Sequence, residues 1–306
     1  MKLKRFGSGD MQLSRLCLGT SGFGKTLNQA EAHHILDKAY EQGINCFDTA
    51  DIYAEGASER ILGEWIKSRK PRSIYIFTKV RGRMWDGVDG EGLSKAHLIK
   101  AVEDSLSRLQ IERIDLYQSH WFDETIALEE TLSAYDELLQ AGKVAAIGAS
   151  NHTSQQLKEA LELAKQKGLP AYESLQVHYN LYHRAEFEAE LEGICQQNGL
   201  GVLAYRVLGG GFAAGRNQQS GSEKAIVKQL SQDKQAENIL KKVVTLAQEL
   251  DISSSQLTLA WILNKGNCVP IVGVSQSEQL EALIQASQIK LNADSMEMLN
   301  MISEGI

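Results

Sequence analysis

The chain has 306 residues, of which 43% are hydrophobic and 23% charged, so it is long enough to bury a sizeable core. The formal net charge is −7, and no lysine or arginine tract occurs. These features argue against nucleic acid or an anionic membrane as the main partner.

The cysteines and the N-terminus indicate the compartment. Four cysteines, Cys17, Cys46, Cys195 and Cys268, lie far apart in apolar settings without a C-x-x-C pair. This pattern predicts buried thiols and no disulfide. The N-terminus has no apolar core of signal-peptide length, and no run approaches the roughly 20 apolar residues of a membrane helix. We therefore expect a cytoplasmic protein.

Short β-branched or apolar runs alternate with stretches of helical period along the whole chain. The predicted strands are residues 14–20, 45–50, 73–80, 113–120, 143–150, 174–180, 201–207 and 267–274. The predicted helices are residues 28–42, 57–69, 94–109, 125–141, 153–167, 186–198, 235–265 and 277–287. The polar sequence DISSS is expected to break the stretch 235–265 into two helices.

Eight strand–helix units without a linker predict an α/β fold, a single (β/α)8 TIM barrel over residues 1–306. Residues 1–13 are expected to form an N-terminal β-hairpin across the barrel floor. An open doubly wound sheet is the alternative fold. Two segments exceed usual loop lengths, Arg81 to Leu93 and Leu208 to about Asp233, and both are expected on the rim that carries active sites.

The stretch GTSGFGKT, residues 19–26, fits the phosphate-binding pattern G-x-x-x-x-G-K-[ST]. That pattern needs a helix opening on the Gly-Lys step. Asn28 and Glu31 instead form a capping-box pattern, so the helix is expected to start later. A P-loop NTPase using Lys25 stays a remote alternative.

The C-terminal ends of predicted strands carry Asp48, Lys79 and His120, and Tyr53 lies just beyond the first of these strands. In a barrel these strand ends share one face, so the four residues are expected to converge. A nearby ammonium favours the phenolate of a tyrosine, and a carboxylate can hold that ammonium in place. Tyr53 would then exchange a proton with a carbonyl or alcohol oxygen that His120 orients.

The segments FDTADIYAEGASERILGEWI, IFTKV and DLYQSHW closely resemble signature segments of the aldo-keto reductase superfamily. The resemblance covers nearly the whole chain, in order. It implies a (β/α)8 barrel that passes hydride between NADP(H) or NAD(H) and a carbonyl or alcohol carbon. It also implies that Asp48, Tyr53, Lys79 and His120 form the catalytic tetrad, with Tyr53 as general acid/base.

Later segments resemble the family's cofactor-binding segments. IGASN, LQVHYNLYHR and AYRVLGG imply that Ser150, Asn151 and Gln176 bond the nicotinamide carboxamide and that Tyr205 stacks on its ring. VGVSQSEQLEAL resembles the adenosine-phosphate loop. The full set of cofactor contacts that the resemblance implies is Thr20, Asp48, Ser150, Asn151, Gln176, Tyr205, Arg206, Leu208, Gly273, Ser275 and Gln279.

Two departures from the family pattern bear on the cofactor. Arg206 stands where many relatives have serine, which places a cation near the cofactor's phosphates or an acidic substrate. Ser275, Gln279 and Leu283 stand where Lys/Arg and Asn are frequent. Without those groups a 2′-phosphate loses its charge-assisted partners, so the preference between NADPH and NADH stays open.

The expected partner is a small-molecule carbonyl or alcohol, and its identity and the oligomeric state are not readable from the sequence. No metal is expected, because His33 and His34 lack a partner ligand. Trp85, Trp121, Phe122 and Phe212 are candidate walls of the substrate pocket. A nucleotide-binding sensor or auxiliary subunit with little turnover is the alternative function.

Overall fold

Eight parallel strands close into a barrel, and a two-stranded antiparallel hairpin precedes them. The computed structural model describes residues 1–214 and 222–304. The hairpin strands are β1 (Leu3–Arg5) and β2 (Gln12–Ser14). The barrel strands are β3 (Cys17–Gly19), β4 (Cys46–Asp48), β5 (Tyr75–Val80), β6 (Leu116–Ser119), β7 (Ile147–Ser150), β8 (Ser174–His178), β9 (Gly201–Tyr205) and β10 (Val269–Val272). They pair in chain order, and β10 closes the barrel against β3.

Helices follow the barrel strands. In the described residues they are α1 (Gln29–Glu41), α2 (Ala57–Arg69), α3 (Lys95–Leu109), α4 (Leu128–Gln140), α5 (Ser154–Lys167), α6 (Glu192–Asn198), α7 (Ser222–Gln232), α8 (Lys234–Glu249), α9 (Ser254–Lys265), α10 (Ser277–Ala286) and α11 (Ala293–Ile302). A π-helical turn, Phe187–Leu191, leads into α6, and a 3-10 segment, Gly209–Ala214, follows β9. No helix among the described residues has the length and apolar character to cross a bilayer.

The predicted barrel, its eight strands and the N-terminal hairpin are confirmed. The break between α8 and α9 is confirmed as well, because Ser253 caps the second helix through a capping box with Gln256. The prediction of one long loop from Leu208 to Asp233 is wrong, because a 3-10 segment and α7 occupy much of it. Residues 215–221 of that stretch lie outside the described residues. The C-terminal helix α11 was also not predicted.

The turn that carries GTSGFGKT lacks P-loop geometry. Helix α1 begins only at Gln29, and its capping box joins Asn28 to Glu31. The side chain of Lys25 is exposed in the preceding turn. The helix N-terminus therefore does not face the glycine-rich backbone as a phosphate cradle requires, and the P-loop interpretation is wrong.

The hairpin closes the floor of the barrel. Phe6, just after β1, packs its ring on Phe77 of β5, with the centroids 6.2 Å apart. Above it the thiols of Cys17 and Cys46 lie 2.9 Å apart on neighbouring strands, and all four cysteines are buried thiols as predicted. The interior is thus filled by side chains, and the open end left for a ligand is the rim at the C-terminal ends of the strands.

A glycine pair tests how tightly the helices pack. Gly63 of α2 faces α3 so closely that a Cβ would lie 2.3 Å from the backbone oxygen of Arg108, whereas a Cβ on Gly193 of α6 meets nothing within 4 Å. We expect Gly63→Ala to lower the free energy of unfolding by about 1–3 kcal/mol through overpacking. Gly193→Ala should raise it by up to about 1 kcal/mol through helix propensity. Urea unfolding of both variants checks this, and equal effects would contradict the packing described here.

Candidate active site

A buried ion pair lies at the rim, where β4 and β5 end. The Lys79 ammonium is fully buried and donates to Asp48 Oδ1 at 2.6 Å and to the Thr49 carbonyl at 2.7 Å. Burial by itself would lower the pKa of Lys79, but the carboxylate of Asp48 and the phenol of Tyr53 outweigh it and hold that pKa above its usual value. Lys79 is therefore a fixed cation at neutral pH.

The phenol of Tyr53 is the third acceptor of that ammonium. Lys79 Nζ lies 3.3 Å from Tyr53 Oη, and the ammonium lies 4.9 Å from the centre of the ring. Burial raises the pKa of Tyr53, and the nearby ammonium opposes this shift without cancelling it. The ammonium thus acts in the direction expected from the sequence, but the phenol stays protonated at neutral pH. Because its oxygen accepts from Lys79, its own proton is free for a ligand.

His120 faces the same phenol. Its ring centre lies 5.9 Å from that of Tyr53, with the planes at 77°. Burial and the charge of Lys79 lower the pKa of His120 well below its usual value, so the imidazole is neutral. Its Nδ1 is buried without a hydrogen-bond partner in the described chain. This leaves Nε2 to meet a ligand oxygen.

Two glutamines support the other oxygen of Asp48. Gln176 Nε2 donates to Asp48 Oδ2 at 2.9 Å, and Gln118 Nε2 lies 3.4 Å from the same atom. Gln118 is fully buried and was not predicted as a site residue. The available signal was its place two residues before His120 on one strand, because alternate residues point to the same face. The amides fix the carboxylate that holds Lys79.

A second cluster contains three of the predicted cofactor residues. Asn151 has a left-handed backbone, with φ 54°, and its Nδ2 donates to the His120 carbonyl at 2.9 Å and to Ser150 Oγ at 3.1 Å. The hydroxyl of Tyr205 donates to Asn151 Oδ1 at 2.6 Å. These groups offer the paired donors and acceptors that a carboxamide needs, beside an aromatic ring.

The ring of Tyr205 is held by a stack of histidines. His178 lies parallel to it at 5.4 Å, and His183 lies on His178 at 4.2 Å. Burial, His183 and Arg206 lower the pKa of His178 to about 3, so the stacked ring carries no charge. The guanidinium of Arg206 lies 5.5 Å from the centre of the Tyr205 ring. No histidine of this stack was predicted as a site residue.

The remaining predicted cofactor residues lie elsewhere on the rim. The Thr20 side chain is fully buried and its hydroxyl bonds the Asp48 carbonyl and Ser58 Oγ, so it is not free for a ligand. Leu208 is half-buried and Gly273 is exposed. Gln279 uses its side chain on Ser275, accepting from the backbone N–H at 3.0 Å.

The aromatic candidates for the pocket wall divide into two kinds. The ring of Trp121 lies 4.4 Å from that of His120, beside the buried pair. Phe212 is buried against Tyr182, and Trp85 stacks on His97 at 4.7 Å, so both pack against other parts of the rim. Phe122 packs edge-on against His152.

Metal ligands do not gather in this site. Across residues 1–214 and 222–304, no three His, Cys, Asp or Glu side chains are grouped as a metal site. The charges of the site are those of Lys79, Asp48 and the arginines.

The buried pair predicts a stability effect. We expect Lys79→Met to lower the free energy of unfolding by about 3–5 kcal/mol, because it leaves the Asp48 carboxylate buried without its cation. The double change of Lys79→Met with Asp48→Asn should cost less than the sum of the single changes. As a control, Lys100→Met removes the exposed pair with Asp104 and should cost under about 1 kcal/mol. Additive costs in urea unfolding would contradict the pairing.

The comparisons with known proteins agree with the barrel fold. The family model described as "Aldo/keto reductase family" matches residues 15–304. The chain is 33% identical to an uncharacterized oxidoreductase, YrpG, of Bacillus subtilis, covering 100% of this chain and 97% of that protein. It is 32% identical to an aldo-keto reductase of Fusarium vanettenii, covering 95% of this chain and 88% of that protein. It is 28% identical to a versiconal hemiacetal acetate reductase of Aspergillus parasiticus, covering 98% of this chain and 96% of that protein.

A match over nearly the whole length, on a barrel of the expected topology, settles the family. The chain belongs to the aldo/keto reductase family and is an oxidoreductase of that type.

Proposed function

We propose that this enzyme reduces aldehydes or ketones to alcohols, or catalyses the reverse oxidation, with NAD(P)(H) as hydride carrier and Tyr53 as general acid/base. The observation that carries the proposal is the hydrogen bond from the buried Lys79 ammonium to the Tyr53 oxygen. A phenol that accepts from an ammonium is a better proton donor than a free phenol, because the cation stabilises the phenolate that remains.

In the direction of reduction, Tyr53 donates its proton to the carbonyl oxygen. Lys79 stabilises the phenolate, and Asp48 keeps Lys79 charged and in place. The neutral imidazole of His120 helps to orient that oxygen through its Nε2 atom, because its Nδ1 atom is buried. When bound, NAD(P)H supplies the hydride that the carbonyl carbon receives. In the reverse direction, Tyr53 accepts the proton of the alcohol.

The rim residues suit a nicotinamide. Asn151, Ser150 and Gln176 would bond its carboxamide, and Tyr205 would lie against its ring. Asn151 now bonds the Tyr205 hydroxyl and the His120 carbonyl, so binding exchanges the hydroxyl contact for one to the carboxamide. Arg206 would meet the cofactor's phosphate oxygens from the same strand end.

The adenosine end carries no cation where the family often has one. Residues 275–283 include Glu278 and Glu281, and Lys38 is the cation that pairs with Glu281. The side chains of Ser275 and Gln279 bond each other. We propose that NADH binds at least as tightly as NADPH, since a 2′-phosphate finds carboxylates here and no guanidinium.

The acid/base assignment is tested with Tyr53→Phe. Reduction of a panel of aldehydes by NADH and NADPH should fall by at least about 10²-fold, because the proton donor is lost. Fluorescence titration with both cofactors should give dissociation constants within a few-fold of the unmodified enzyme. Tyr40→Phe on α1, which removes a hydroxyl bonded to the Arg72 backbone, is the matched control and should keep the rate.

Two results would overturn the assignment: retained turnover in Tyr53→Phe, or lost cofactor binding with an unchanged rate. Tight cofactor binding by the unmodified enzyme without turnover of any carbonyl would instead favour the nucleotide-sensor alternative.

The pKa shifts predict the pH profile of reduction. Burial raises the pKa of Tyr53 above its usual 10.0, so the phenol stays protonated until the pH exceeds about 10. Burial lowers the pKa of His120 well below its usual 6.5, so the rate is expected to show no transition near pH 6.5. The value of kcat/KM for reduction should be level between about pH 6 and 10 and fall at higher pH. A transition near pH 6.5 that disappears in His120→Gln would contradict a neutral imidazole.

A further inference from the structure

Arg81 has a backbone conformation that arginine rarely adopts. It follows directly after β5, two residues beyond Lys79, and its φ is 137°. Only glycine enters this region without strain, and such strain persists where the surrounding structure enforces it, often at functional sites. The Arg81 carbonyl accepts from Gly92 N at 2.9 Å, and Gly82 packs against Ile52, so the strained turn is fixed from two sides.

Within the described residues no carboxylate forms an ion pair with the Arg81 guanidinium, although its charge contributes to lowering the pKa of Asp123. The guanidinium lies 5.2 Å from the centre of the Trp121 ring, and its Nε is buried without a hydrogen-bond partner. Asp123 is close in sequence to Trp121, but its oxygens accept from Leu93 N, Thr125 N and Thr125 Oγ1. The buried Nε is costly, because it has lost water and gains no acceptor in return.

Four other arginines of this acidic protein are paired with carboxylates. Ion pairs within the described residues join Arg69 to Asp37, Arg83 to Glu91, Arg108 to Glu59 and Arg184 to Glu188. Arg81 is held over an aromatic ring instead, in a protein with an excess of carboxylates.

The position of Arg81 links it to the reacting groups. Trp121 lies against His120, with ring centres 4.4 Å apart, and the His120 ring lies 5.9 Å from that of Tyr53. The Arg81 guanidinium and the His120 imidazole therefore both lie near the Trp121 ring.

We propose that Arg81 binds a carboxylate of the carbonyl substrate, so that this enzyme selects oxo acids over neutral carbonyl compounds. The guanidinium matches a carboxylate with two parallel N–H donors, and the Trp121 ring holds its plane. Arg81 then determines which carbonyl substrates the enzyme prefers. This inference rests on the reaction proposed above. The carboxylate of the substrate would supply an acceptor for the Arg81 guanidinium, with which no carboxylate of residues 1–214 or 222–304 forms an ion pair.

The test compares aldehydes that differ only in their charge: glyoxylate and glyoxylamide, succinic semialdehyde and its amide, and 4-carboxybenzaldehyde and 4-formylbenzamide. We expect kcat/KM to favour the acid over the amide by roughly 10- to 100-fold in at least one pair. Arg81→Met keeps the alkyl stem over Trp121 and should abolish this preference, leaving the amide rate within a few-fold. Arg81→Lys keeps the charge without the paired donors and should retain part of the preference.

Arg83→Met is the matched control, because Arg83 lies in the same loop but pairs with Glu91. It should leave the preference for the acid unchanged. No preference in any of the three pairs, or a preference that survives Arg81→Met in a folded variant, would overturn the role of Arg81. The role of Arg206 is separate, since its loss should affect acid and amide alike.

A binding measurement separates this inference from the proposed reaction. Calorimetry of terephthalate and terephthalamide in the presence of NADP+ needs no turnover. Terephthalate should bind more tightly by roughly tenfold or more, and Arg81→Met should remove the difference. If no aldehyde is reduced but terephthalate binds through Arg81, the proposed reaction fails and the anion site stands. Equal binding of both compounds, together with equal kcat/KM values for acid and amide, contradicts the anion site.

Discussion

The site depends on one buried cation. Lys79 has three N–H donors, and three acceptors surround it: Asp48, the Thr49 carbonyl and Tyr53. An ammonium with no water around it is stable only if all its donors are used and a carboxylate lies beside it. These contacts therefore stabilise the fold and define the chemistry together. Gln176 and Gln118 also support the buried ammonium, because their side-chain amides hold the Asp48 carboxylate that keeps Lys79 charged.

The closed barrel explains how such a cation is enclosed. Parallel strands bring their C-terminal ends to one rim, so Asp48 of β4 and Lys79 of β5 become neighbours although 30 residues separate them. The hairpin and the inward apolar side chains exclude water from below. The rim loops lie above this floor and are free to vary. Arg81 and Trp121 lie in these loops. Lys79 and Arg81 thus lie at the end of the same strand, β5.

Much of this arrangement could be predicted because it depends on local patterns. Apolar runs predict the eight strands, and the polar residues at the C-terminal ends of three of these runs are Asp48, Lys79 and His120. Gln118 was missed although it lies two residues before His120, because a buried amide inside an apolar strand does not by itself indicate a site. Helix α7 was missed because the glycine-rich stretch before it is typical of a loop. The strain at Arg81 and its place over Trp121 are tertiary features, since a single sequence does not give a backbone φ or a ring contact.

The most direct test of the central claim is a crystal structure of the enzyme with NADP+ and a bound alcohol or carboxamide inhibitor. The account predicts that the inhibitor oxygen lies within about 3.2 Å of both Tyr53 Oη and His120 Nε2. It also predicts that the Lys79–Tyr53 hydrogen bond persists and that the nicotinamide carboxamide lies on Asn151 and Gln176. An inhibitor oxygen bound away from Tyr53, or a Lys79 ammonium turned away from the phenol, would contradict it.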